Sequence, residues 1–230
     1  MSTRLPVPPC SSRSSRSFSK PATALRVRLL PWIAACLAVG AMFAGVSRAA
    51  PEPELVSSSW NLGFEYDKPQ AIAVKNLEGQ TQWYWYMTYE VTNETGQTQL
   101  FVPEVTVADD TGRIMQAGDG VPSRVYREIR DKLRSVSLQS PVQILGELLE
   151  GEDHSEKGVV VWPADLDRDI DEYRVFFAGL SGETAIIEHP RTGEEVRLRR
   201  TLMLRFALPG DNEHPERQTV ERIEQREVMR

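Results

Sequence analysis

Four aspartates, Asp165, Asp167, Asp169 and Asp171, recur at every second position, and Glu172 follows them. Alternate carboxylates in a loop between two strands gather hard oxygen ligands, as calcium loops do, so this run is the candidate metal site and calcium the one candidate cofactor. It departs from the EF-hand pattern, because Ile170 stands where the turn glycine belongs and Phe176 where the closing glutamate belongs. The alternative is a solvated acidic connection. Tyr84 and Tyr86 are the second candidate. In an extended segment they share a face opposite Trp83, Trp85, Met87 and Tyr89. Phenol rings placed so offer apolar area with a polar tip, suited to stacking on sugar rings or peptide side chains, or to packing beneath a helix.

Arg197, Arg199 and Arg205 form a basic row on the opposite face of a strand from its leucines, with Glu183, Glu188, Glu194 and Glu195 in the same hairpin as cross-strand partners. Catalytic chemistry finds little support. His154, His189 and His214 are scattered, and neither HExxH, CxxC nor GxSxG occurs. Residues 179–182 read Gly-Leu-Ser-Gly, with the second glycine one residue too early for a nucleophile elbow, which makes them a turn. Glu152, Asp153, His154 and Glu156 crowd one loop, where adjacent side chains rarely converge on one ion. Asn93-Glu94-Thr95 is a glycosylation sequon. The expectation is a protein without enzymatic activity.

The elements that must carry these residues are mostly strands. Trp60, Leu62, Phe64 and Tyr66 alternate with polar neighbours, and Ile72 and Val74 resume the alternation after Pro69. Trp83, Trp85, Met87, Tyr89 and Val91 share the inward face of the clearest strand. Three Thr-Gly turns, at 93–96, 109–112 and 190–193, suggest hairpins, the first returning as a strand over 100–107. Residues 158–162 and 173–179 are apolar on both faces, as central strands are, and 196–208 should be the longest strand. Val121, Val125, Ile129 and Leu133 predict a helix, with Glu128 and Lys132 as an i,i+4 pair. A capping box at 140–143 with Pro141 at the first helical position predicts a second helix, striped by Ile144, Leu145, Leu148 and Leu149 and ended by Gly151. The fold expected is mainly β, an antiparallel immunoglobulin-like β-sandwich over residues 60–210 with a two-helix insertion at 121–151. Residues 50–59 read as a linker and 211–230 as a charged C-terminal tail.

Before that domain, residues 1–49 hold seven basic and no acidic residues, and 29–46 are uncharged. Basic, then apolar, then Ser47-Arg48-Ala49 is the order of a signal peptide. An uncleaved anchor spanning 29–46 is the alternative, and residues 33–36 also resemble a lipoprotein box without its polar tether. Cleavage after Ala49 leaves 20 Lys and Arg against 33 Asp and Glu, a net charge near −13, and removes both Cys10 and Cys36. So acidic a chain repels nucleic acid and anionic lipid, and it carries neither disulfide nor cysteine metal site. The protein is expected to be exported, periplasmic or extracellular, with any membrane contact confined to the N-terminal segment.

The pieces YWYMTYEVTNETG, FVPEVTVADDTG, GVVVWPADLD, FFAGLSGET and TGEEVRLRRTLML together resemble a family of uncharacterised exported bacterial proteins, over most of residues 60–208. The resemblance implies export and a single domain, and it assigns no site residue. The function expected is an envelope-associated structural or protein-interaction module, its partner an envelope protein or a neighbouring domain. A calcium-, carbohydrate- or peptide-binding module is the alternative.

Overall fold

The computed structural model describes residues 59–166, 169–210 and 214–230. The chain divides into two units, residues 1–49 and 50–230, and every described residue belongs to the second. The expected leader and most of the linker therefore lie outside the described residues.

Aromatic and β-branched residues dominate the apolar positions, and the chain is mainly β, in antiparallel sheets. The first sheet is built on β3 (Thr81–Thr92). Along one edge of it run β1 (Gly63–Tyr66) and β2 (Gln70–Lys75), end to end. Tyr66 lies opposite Tyr89, but Gln70 lies opposite Tyr86, so the edge carries one residue more than β3 between those pairs. This is a bulge at residues 67–69. There the Asp67 N–H donates to the Thr88 carbonyl at 2.9 Å and the Thr88 hydroxyl donates to Asp67 Oδ2 at 2.5 Å. One extra residue turns the pleat over. Phe64 and Tyr66 accordingly pack on the main core, whereas Ile72 and Val74 point to the other face.

The other edge of β3 pairs with β9 (Glu156–Pro163), which β7 (Leu138–Gln139) joins in parallel, a pairing the hairpin chemistry did not anticipate. In the second sheet β12 (Glu195–Ala207) is the longest strand, as its leucine alternation predicts. It pairs on one side with β10 (Glu172–Ala178), which leads to β5 (Glu104–Asp109) and β6 (Ile114–Gln116). β11 (Thr184–Glu188) continues along that same edge beyond β10, and the opposite edge of β12 carries β13 (Glu221–Met229).

The two sheets face each other across the main core. Trp85, Met87, Tyr89 and Val91 from β3 meet Tyr173, Val175, Phe177, Leu204 and Phe206 from the second sheet. Phe64 and Phe177 lie 4.6 Å apart between ring centroids. Gly158 is required on β9, because a Cβ there would enter the Tyr89 ring. On the outer face of the first sheet, Ile72, Val74, Tyr84, Tyr86, Val159 and Val161 meet Val125 and Ile129 of helix α1 (Ser123–Leu133). The helix thus covers a face rather than an edge. Lys132 leaves its expected partner Glu128 and reaches the Ala71 carbonyl at 3.3 Å, 5.2 Å above the Tyr86 ring.

Three expectations are corrected. The turn at 93–96 closes no hairpin with β3: the chain crosses to β4 (Gln99–Phe101), which pairs only with β8 (Gly146–Leu148), and then enters the second sheet as β5. The second helix does not form. Its capping box closes, with the Ser140 N–H and hydroxyl both donating to Gln143 Oε1 at 3.0 Å. After that single turn Gly146 enters β8, because a short helix gains less than pairing that seats Ile144 and Leu148 in the main core. The tail, finally, holds strand β13, whose backbone pairs with β12 and whose charges find partners there.

Candidate functional site

The β5–β6 turn positions the first candidate. Asp109 Oδ1 accepts the Arg113 N–H at 2.9 Å and the Thr111 hydroxyl at 2.7 Å, an arrangement in which aspartate caps its own turn. Arg113 then reaches Asp165 Oδ2 at 2.8 Å. Asp109 is buried and lies in register with Tyr173. Burial first, and then the Asp109 carboxylate, push the Tyr173 phenol far above its ordinary value, so it is a neutral hydroxyl.

Beside this cluster opens a cleft of about 510 Å³ bounded by Gln82, Trp83, Tyr84, Arg113, Pro163 and Asp165. It brings together two residues that the sequence singles out for different reasons, Tyr84 and Asp165. Their availability is limited. Tyr84 and Tyr86 are buried beneath α1, their hydroxyls donating to Gln82 Oε1 at 3.0 Å and Gln70 Oε1 at 2.9 Å. The Asp165 carboxylate already faces a guanidinium. Asp169 and Asp171 are exposed. The Asp171 N–H donates to Asp110 Oδ2 at 3.2 Å and its carbonyl accepts the Leu208 N–H at 2.8 Å. Asp167 lies outside the described residues. Among the described residues, no three His, Cys, Asp or Glu side chains come together as a metal site.

Two members of the basic row, Arg199 and Arg205, form ion pairs, while Arg197 is exposed with no acidic partner among the described residues. Arg205 meets Glu172 at 2.5 Å and Glu224 at 3.6 Å, Arg174 also reaches Glu172 at 2.9 Å, and Arg199 pairs with Glu104. These glutamates lie outside the expected hairpin. The Arg205 hydrogen bond, with Arg174 behind it, holds the Glu172 carboxyl below the usual carboxylate range. Arg200, which the sequence reading passes over, is more enclosed than any member of the row and takes both Glu183, at 2.9 Å, and Glu227.

A different surface emerges on the β4–β8 ribbon. Phe101, Ile144 and Leu148 turn into the main core, which leaves Leu100, Val102, Leu145 and Leu149 facing solvent at 66%, 48%, 48% and 47% exposure. Leu100 lies opposite Glu147. Half of the stripe assigned to a second helix is thus an open apolar face. Gly146, an unfavourable residue inside a helix, was the sequence signal that could have exposed this. The ribbon is tethered by Asn93, whose Nδ2 donates to the Gln97 and Leu148 carbonyls, both at 2.8 Å. Asn93 is completely buried, so its sequon is closed to a glycosyl donor in the folded chain. His154 and His189 are likewise occupied locally, by the Glu150 carbonyl and by the N–H groups of Arg191 and Thr192. Ser181 Oγ accepts the Glu183 N–H in a bridge to Asn61, as a turn residue does.

No protein-family model, curated protein or solved structure matches this chain.

Proposed function

We propose that this chain is an exported, non-enzymatic domain of immunoglobulin-like sandwich type that acts by docking another protein on the outer face of its β4–β8 ribbon. The observation that carries this reading is the solvent-facing set Leu100, Val102, Leu145 and Leu149 on a two-stranded element whose opposite side is locked into the core. Contiguous exposed apolar side chains, as distinct from scattered ones, mark contact surfaces. Each ribbon strand pairs on one edge only, which leaves main-chain groups available to a partner. The basic leader and the resemblance to exported proteins support export as the compartment of this reading.

Photocrosslinking in the host envelope tests the reading. A photoreactive side chain at position 100 should give one discrete adduct, and the same group at the still more exposed position 77, in the β2–β3 turn, should not. Identical adduct patterns from both positions refute it. Intact mass matching residues 50–230 in the exported fraction tests the compartment, and a full-length mass in the membrane fraction would establish residues 29–46 as an anchor.

A further inference from the structure

The ribbon's chemistry also specifies the kind of partner, an inference that rests on the docking reading above. Residues 93–104 and 140–156, which make both strands and their flanking turns, contain seven Asp and Glu and not one Lys or Arg. Glu94, Glu147, Glu150, Glu152 and Asp153 are exposed, and no cationic side chain pairs with any of them among the described residues. This contrasts with the second sheet, where Glu104, Glu172, Glu183, Glu224 and Glu227 all face arginines. Five carboxylates around the apolar ribbon thus stand without a cationic partner among the described residues, in a stretch of sequence that supplies no Lys or Arg of its own.

We infer that the ribbon receives a cationic, apolar segment of a partner protein, with aliphatic side chains seated among Leu100, Val102, Leu145 and Leu149 and Lys or Arg side chains meeting Glu147 and Glu150. A second copy of this chain fits poorly, because apposing two such faces brings like charges together. Anionic lipid is repelled for the same reason. The segment is protein, cationic and extended.

Calorimetric titration of the purified protein with two synthetic peptides provides the test, one alternating Leu and Lys, the other with Gln in place of every Lys. The Leu–Lys peptide should bind the more tightly, and raised salt should weaken it. Glu147→Gln with Glu150→Gln should reduce its affinity roughly three- to tenfold. The charge-matched control, Glu128→Gln with Glu195→Gln on other elements, should leave it unchanged, and Leu100→Ser should weaken both peptides. Equal affinity for the two peptides, or equal loss in the two double variants, overturns the cationic assignment while the docking reading stands. Association of the protein with itself that Leu100→Ser abolishes would seat a second copy there and overturn it as well. Crosslinks indistinguishable between positions 100 and 77 would remove the docking reading itself.

Discussion

Asn93 is where a single amide decides whether the ribbon stays on the domain. Its Nδ2 bridges the Gln97 carbonyl of its own turn and the Leu148 carbonyl of β8, its Oδ1 accepts the Thr95 N–H at 3.1 Å and hydroxyl at 2.8 Å, and its carbonyl accepts the Gly151 N–H at 2.8 Å. Asn93→Ala removes all four side-chain bonds. The Thr95 and Gln97 groups lie close enough to solvent to be rehydrated in part, but the Leu148 carbonyl is left buried. The orphaned carbonyl, at ~1–3 kcal/mol, dominates and the rehydrated groups add only a fraction of the usual bond value, so the expected destabilisation is about 2–3 kcal/mol. For a domain of this size that lowers Tm by roughly 4–12 °C. Asn93→Asp should be worse at neutral pH, since a carboxylate cannot donate to two carbonyls. Urea unfolding followed by tryptophan fluorescence measures both. A cost below about 0.5 kcal/mol for the alanine variant, with Asp no worse than Ala, would mean that the amide does not hold the ribbon.

Trp85→Ala should cost about 3–5 kcal/mol, because the indole sits in the main core against Tyr173, and a loss below about 1 kcal/mol in the same assay would refute its placement. Glu172 has a depressed carboxyl pKa, so its contribution is present above the ordinary carboxylate range and is lost as pH falls through the lower folded value. Glu172→Gln should therefore be less stable than the native protein at neutral pH and equal to it in strong acid, and a gap independent of pH would exclude the ion pair as its source. Calcium should leave the native Tm unchanged, because Asp165 is held by Arg113. A calcium-induced rise that Asp165→Ala abolishes would establish the aspartate run as a metal site.

Much of the fold is legible because burial imprints a period. The inward face of β3, the doubly apolar β9 and β10 and the leucines of β12 each have one dominant environment per position. Legibility fails where backbone pairing or a distant contact decides. β13 offers Ile223, Val228 and Met229 among charged neighbours, so nothing in its alternation separates it from a solvated tail. It is ordered by the β12 ladder and by pairs such as Arg205 with Glu224. The 140–149 segment carries a true helix start signal that the following glycine and the β4 edge override. At the candidate surfaces, the aspartate run and the tyrosines were visible as residue types. The Asp109–Arg113–Asp165 link and the exposure of Leu100 and Leu145 depend on which strands meet, and local sequence does not encode that.

The bulge at residues 67–69 has a consequence for how this chain can vary. Surface connections are ordinarily where insertions and deletions do least harm. Here Asp67, Lys68 and Pro69 set the phase between two cores, because even-numbered apolar residues serve the inter-sheet core before them and the helix-covered face after them. Deleting one of the three would restore a continuous register and drive Ile72 and Val74 toward the wrong face. Replacing any of them keeps the count. In this segment length is under tighter physical constraint than identity, and a change that an aligner would score as a trivial gap is equivalent to rewriting two core positions at once.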